Sequence, residues 1–175
     1  MEFKWKKAHA GHSGNELADK LAKEATKNSE ICYNKIPKSE IVRQESEKTI
    51  AKWQKQWETN DKGMVTKEFF PNIKARLKME LRLTPNFTAI LTAHGKTKSY
   101  LHRFKTIQSP ECVCNHADQT TDRFIFDCEI LDKEREKLIA YTSREDDWPV
   151  RKCQLVNKYL KQFSMFVNSI EFAKL

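Results

Sequence analysis

The sequence predicts a mainly α-helical protein that opens on one short β-strand and a helix, and three observations carry that expectation. Apolar residues recur at helical spacing in several stretches, among them Ile50, Trp53 and Trp57, and Val156, Leu160, Phe163, Val167 and Ile170. Capping signals stand ahead of others, such as Ser13 with Glu16 and Thr84 with Pro85. Alternation of apolar and basic residues suits a strand at Phe3-Lys4-Trp5-Lys6.

A lone strand leaves both edges of its backbone unpaired, so Phe3–Lys6 needs a partner. The next segment reads as a helix opening at Gly14, after a turn that Gly11 and Gly14 permit, with Ser13 and Glu16 as a capping box. Leu17 and Leu21 pair on it at i, i+4, and Ala18, Ala22 and Ala25 form a small-residue face suited to close approach to a sheet. Thr26 to Pro37 is polar and aperiodic, which gives a linker over residues 28–38 between a segment 1–27 and a helical domain 39–175.

Within that domain, Ser39 can cap a helix running to about Thr59, which Asn60-Asp61-Lys62-Gly63 breaks. Its two tryptophans suit core or helix pairing better than a ligand box. Phe70, Ile73, Leu77 and Leu81 make the next stripe, with Lys74, Lys78 and Arg82 at i, i+4, i+8 on another face of the same predicted helix. Thr84-Pro85 starts a further helix that stops at His94-Gly95. Tyr100, Leu101 and Phe104 follow at helical spacing, interleaved with Lys96, Lys98, His102, Arg103 and Lys105. Aromatic groups among basic ones can stack nucleic-acid bases or serve as core. A last helix is predicted from near Pro149.

The 175 residues suffice for one domain with a core or for two small modules. No apolar stretch approaches the roughly 20 residues of a membrane span and no apolar signal region opens the chain, so an intracellular protein, in cytoplasm or nucleus and without a membrane partner, is expected. Five cysteines, with Cys112, Cys114 and Cys128 clustered, fit reduced thiols better than a disulfide framework. The net charge of +8 is concentrated: residues 62–105 hold ten basic residues against Glu68 and Glu80, and the rest of the chain is neutral. Such a block suits contact with phosphate backbones, through Lys74, Lys78, Arg82, Lys96, Lys98, Arg103 and Lys105; a solvated basic face is the alternative.

Trp5, Lys7, His9, Gly11, Gly14, Asn15, Glu16, Ala18, Asp19, Leu21 and Ala22 match the pattern W-(V/I)-K-x-H-x-G-x-x-G-N-E-x-A-D-x-L-A. This resembles the last strand, loop and helix of the ribonuclease H family, with Lys6 departing from the usual inward valine or isoleucine. The resemblance implies that strand and helix are left from an incomplete ribonuclease H-like α/β fold. It also implies that Asp19 is the fourth carboxylate for Mg2+, that His9 assists product release, and that Glu16 belongs to the same site. The family hydrolyses RNA in RNA–DNA hybrids with two metal ions roughly 3.5 to 4 Å apart, which needs several converging carboxylates. The other three come from strands and a helix that this sequence does not contain, so the chain is expected to be inactive alone unless another polypeptide supplies them. For Asp19, the alternative is a solvated helix aspartate.

Downstream, Leu83–Gly95, Tyr100-Leu101-His102-Arg103-Phe104 and Cys112-Val113-Cys114 are similar to the region after the ribonuclease H domain in non-LTR retrotransposon polyproteins of the jockey and R1 kind. A truncated or decayed retroelement product is the origin this implies. There the segment usually reads C-x-C, then a histidine nine residues on and a cysteine five further, a plausible zinc knuckle. Here Arg123 stands at the histidine position, and a guanidinium is no zinc ligand. His116 is a candidate fourth ligand beside Cys112, Cys114 and Cys128; three buried thiols under Phe124-Ile125-Phe126 are the alternative. Three functional readings stay open: a ribonuclease H relative that needs a partner polypeptide, a nucleic-acid-binding module without catalysis, and a non-functional remnant.

Overall fold

The computed structural model describes residues 5, 7, 10–27 and 35–172. The described residues are mainly helical and contain no β-strand. Of the expected strand, Phe3, Lys4 and Lys6 lie outside the described residues, and Trp5 belongs to no regular element and is 87% exposed. The strand portion of the predicted fold class is therefore not part of the described fold. The chain divides into two compact units, residues 1–45 and 46–175.

In the first unit, α1 (Ser13–Ala25) starts one residue before the expected Gly14. Gly11, at φ +75°, supplies the left-handed turn ahead of it. The capping box is not formed. His12 takes the N-cap position in extended conformation, and its carbonyl accepts from the Asn15 and Glu16 N–H groups at 2.9 and 3.0 Å. Ser13 is already helical, and a capping side chain must come from the extended residue before the helix. Leu17 and Leu21 are exposed, and α1 buries no residue.

α2 (Lys38–Thr59) begins where the Pro37 carbonyl accepts from Glu40 and Ile41, so Ser39 lies in its first turn and is not the cap. In the second unit α3 (Met64–Phe69), α5 (Pro85–Thr92), α7 (Asp132–Thr142), α8 (Lys152–Asn157) and α9 (Leu160–Ser169) line one apolar core, while α4 (Ile73–Leu77) buries Ile73 outside that cluster and α6 (Lys98–Arg103) buries no residue. Phe163 of α9 sits within it, stacked on Phe69 at 5.8 Å and edge-on to Phe87 at 5.5 Å. All three rings are at most 1% exposed, and burial of one such side chain stabilises by about 1.5 to 3 kcal/mol.

Two expected elements are redrawn. The basic ladder Lys74, Lys78, Arg82 does not share a helix, because α4 ends at Leu77 with Lys78 as its C-cap. From there Met79 and Leu81 turn toward the core while Lys78, Glu80 and Arg82 face out, a period of two that runs into Thr84-Pro85. The last predicted helix is two, α8 and α9, joined at Lys158 and Tyr159. Asp146 holds that joint: it accepts from Lys158 Nζ at 2.6 Å and from the Tyr159 hydroxyl. By contrast, the α5 expectation holds, with the Thr84 side chain accepting from Phe87 N at 3.1 Å and Pro85 at the first helical position.

α7 has no apolar stripe in the sequence, yet Leu131, Arg135, Leu138 and Thr142 form a buried row at helical spacing. Arg135, 4% exposed, is its centre. Its Nε donates to the Ile125 carbonyl at 2.9 Å, and its Nη2 to those of Cys128 at 2.7 Å and Phe124 at 3.3 Å. Those carbonyls belong to or adjoin a π-helical turn, Arg123–Asp127, closed by Cys128 N to Arg123 O at 2.8 Å. Ahead of the turn, Asp122 pairs with the buried ammonium of Lys152, which also binds Glu68.

Arg135→Met keeps most of the volume but removes the side-chain donor to the Phe124 and Ile125 carbonyls and one of two to Cys128 O, which keeps the Leu131 N–H at 3.0 Å. Leaving buried acceptors unsatisfied predicts a loss of about 3 kcal/mol in stability, read from denaturant unfolding followed by tryptophan fluorescence. An unchanged midpoint would contradict the role given to Arg135.

Candidate functional site

The cysteine cluster is built by two local structures. Glu111 and Asp118 form an isolated antiparallel bridge, Cys112 N donates to Ala117 O at 2.9 Å, and Asn115 N donates to Cys112 O at 2.8 Å. Asn115 sits at φ +57°, a conformation that asparagine tolerates better than most residues. This knuckle presents Cys112 and Cys114, while the end of the π-turn presents Cys128. The three sulfurs lie within 4.8 Å of one another, with Cys112 and Cys128 3.7 Å apart.

Arg123 also comes from the π-turn, and its Nη2 donates to Cys114 Sγ at 3.4 Å. That guanidinium lowers the Cys114 thiol to about 6, against burial and with help from the His116 N–H. Burial pushes the Cys128 thiol up to about 11. His116 stays beside the cluster: its side chain hydrogen-bonds Cys114 and is 58% exposed, its Nδ1 lies 3.6 Å from Glu129 Oε1, and the ligand atoms within 4.8 Å of one another are the three sulfurs. Three sulfurs fit a metal of the zinc class, and Arg123 cannot add a ligand to them.

The same loop anchors α6. Gln119, 1% exposed, accepts from Lys98 N through its side chain at 2.9 Å and from Ser99 N through its carbonyl at 3.3 Å. Thr97 adds a side-chain cap to Tyr100 N. On α6 and its flanks, Tyr100 lies 5.1 Å from His94 and 4.8 Å from Phe104, ring centre to ring centre. Phe104 is 61% exposed, with the Arg103 guanidinium 5.9 Å from its ring. Between Glu80 and Glu111 the chain has no acidic residue and has Arg82, Lys96, Lys98, Arg103 and Lys105.

Of the predicted nucleic-acid residues, Lys98 and Arg103 share α6, and Lys96 and Lys105 flank it. Lys96 also serves the fold, bonded to Asn86 and 5.0 Å from the Phe172 ring. Lys74 is on α4, and Lys78 and Arg82 follow it, all three exposed. The aromatic pairing around Tyr100 was only half visible beforehand: Tyr100 and Phe104 are at i, i+4, but His94 joins them across the turn at Gly95.

Of the residues matched to ribonuclease H, His9 lies outside the described residues. Asp19 pairs with Lys23 at 2.6 Å one helical turn on, and Glu16 stands in the first turn of α1. Among the described residues, the cluster of three or more metal-ligating side chains is the cysteine one, and it includes neither carboxylate.

The described residues thus define a helical, basic domain with a cysteine knuckle. Its sequence is similar to three proteins named as retrovirus-related Pol polyproteins from type-1 retrotransposable elements, R1 in two of them and R1 2 in the one from Nasonia vitripennis. The one from Popillia japonica is 28% identical over 127 residues, covering 67% of this chain and 47% of the relative. That from Nasonia vitripennis is 26% identical over 130 residues, 74% of this chain and 30% of the relative. That from Bradysia coprophila is 24% identical over 91 residues, 51% of this chain and 9% of the relative. The chain therefore spans less than half the length of each, and the similarity supports a retrotransposon origin. No protein-family model matches the chain, and no solved structure matches it. No helix among the described residues is long and apolar enough to cross a membrane.

Because thiolate is the nucleophile, alkylation of Cys114 in metal-free protein should rise with pH through a midpoint of about 6. Replacing the hydrogen-bonding guanidinium, Arg123→Gln, should move that midpoint upward toward an ordinary thiol. Mass-resolved labelling with iodoacetamide reads both. A midpoint that Arg123→Gln does not move would refute the assignment.

Proposed function

We propose that this chain is a retroelement-derived nucleic-acid-binding domain that does not catalyse on its own. The observation that carries the reading is the acid-free segment between Glu80 and Glu111, whose Arg82, Arg103 and Lys105 are exposed together with Lys74 and Lys78 ahead of it. Glu80 faces out between Lys78 and Arg82, but exposed cations in such excess over carboxylates attract phosphates and release counterions on binding. Hydrolysis of RNA in RNA–DNA hybrids is the activity that the motif around His9, Glu16 and Asp19 suggests. One carboxylate of four holds Mg2+ poorly, so that activity calls for a polypeptide supplying the others.

Affinity for a nucleic acid should fall steeply with salt, by a slope of about 0.9 per phosphate contacted on duplex DNA. Neutralising Lys74, Lys78 and Arg82 to glutamine should reduce the slope by about 1 for each residue in contact. Affinity that stays flat between low and physiological salt would reduce the block to a solvated face. In the same preparations a magnesium-dependent hybrid cleavage lost on Asp19→Asn would overturn the non-catalytic reading.

The cysteine cluster supports a second element of the proposal, a zinc-class ion held by Cys112, Cys114 and Cys128. Such an ion would lock the knuckle to the π-turn, with solvent as its remaining ligand. Protein purified without chelator should carry close to one equivalent; less than about a third of an equivalent by metal analysis would count against the site.

A further inference from the structure

From the ring geometry around α6 we infer that His94, Tyr100 and Phe104 form a stacking shelf for unpaired nucleobases, with Arg103 beside it to hold the adjoining phosphate. The inference rests on the nucleic-acid-binding reading and specifies the form of nucleic acid: a single strand. The steps along the shelf are 5.1 Å from His94 to Tyr100 and 4.8 Å from Tyr100 to Phe104, inside the range in which aromatic rings attract one another, with successive rings tilted by 42° and 46° so that each turns a different face outward. Tyr100 is half-buried and is fixed from below by the Thr97 cap and by Gln119 at the helix start. The run ends at Phe104, 61% exposed with the Arg103 guanidinium 5.9 Å from its ring centre, and begins at His94, also exposed, so an incoming partner can reach the run from both ends.

What that partner is follows from the charge around it. A protein partner with an apolar knob would meet Lys98, His102, Arg103 and Lys105, against which the segment 81–110 sets no acid; the nearest in sequence is Glu111, which lines one cavity with Lys98 and leaves the other three cations in excess. A nucleotide brings both requirements at once: a flat π-face for Phe104 and an anionic phosphate one bond path away for Arg103 or Lys105. Paired bases in a duplex already stack above and below, so a duplex offers this shelf only its phosphates. An unpaired base has a free face. The consequence is a preference for single strands over duplexes of the same length, superimposed on the sequence-independent charge attraction.

The test uses the full chain and fluorescently labelled oligonucleotides of equal length: single-stranded DNA, single-stranded RNA, the DNA duplex, and a single strand whose bases are replaced by abasic sites. Single strands should bind more tightly than the duplex, and the abasic strand should lose the advantage. Phe104→Ala should weaken single-strand binding about 5- to 150-fold, the range that stacking of one base supports, without changing the salt slope. Phe104→Trp should restore it, and circular dichroism should show all variants folded, as expected for an exposed ring. If Phe104→Ala binds single strands as tightly as the parent while the salt dependence stays steep, the shelf is refuted and the phosphate-binding reading stands. If the parent binds none of the four ligands at low salt, both fall together.

Discussion

A single buried guanidinium sets the arrangement on which the candidate sites depend. Arg135 is enclosed, and the groups that compensate it are mostly backbone carbonyls of Phe124, Ile125 and Cys128. A buried charge is tolerated only where its donors are met, and carbonyls in a widened helical turn are well placed to meet them. The arrangement makes the π-turn and α7 one structure. Lys152 secures the start of the same turn through Asp122. Everything the turn presents, Arg123 toward Cys114 and Cys128 toward Cys112, inherits its position from these two buried cations.

The cysteine knuckle and the aromatic shelf are linked by hydrogen bonds as well as by closeness in sequence. Gln119 lies just after the knuckle, its N–H donates to Pro110 O at 2.8 Å, and its oxygens receive the first N–H groups of α6. Those N–H groups have no partner within the helix itself, so a buried amide is an efficient way to satisfy them. A change that loosens the knuckle therefore reaches α6 at its start, where the helix is shortest of bonds.

Much of the helical architecture was legible because its signals are local. Thr84-Pro85 announced α5 by the chemistry of one cap, and Phe163, Val167 and Ile170 announced the buried face of α9 by spacing alone. The misreadings are equally local in cause. Ser13 offered a cap but His12 was the residue left extended, and Lys74, Lys78 and Arg82 mimicked helical spacing across a segment whose inward residues, Met79 and Leu81, alternate. α7 escaped notice because its buried row contains an arginine and a threonine, whose partners are backbone groups that spacing does not reveal. The convergence of Cys112, Cys114 and Cys128 was anticipated, but Arg123 was foreseen only as a missing ligand. Its bond to Cys114 depends on the π-turn, which adds a residue to the helical period and so turns the side chain where a regular helix would not.

Ala93 and Lys105 stand at the two ends of the region that carries α6, both with positive φ, at 56° and 57°. Neither is glycine, so each holds a conformation that costs an ordinary side chain some energy and that the surrounding packing must enforce. Such corners are seldom visited by a loose chain and persist only while the packing around them holds. The peptide between them is consequently fixed at both ends by its surroundings, and the single strand proposed above would meet a frame that has already lost much of its conformational entropy. Recognition there would draw its ordering cost from the strand alone.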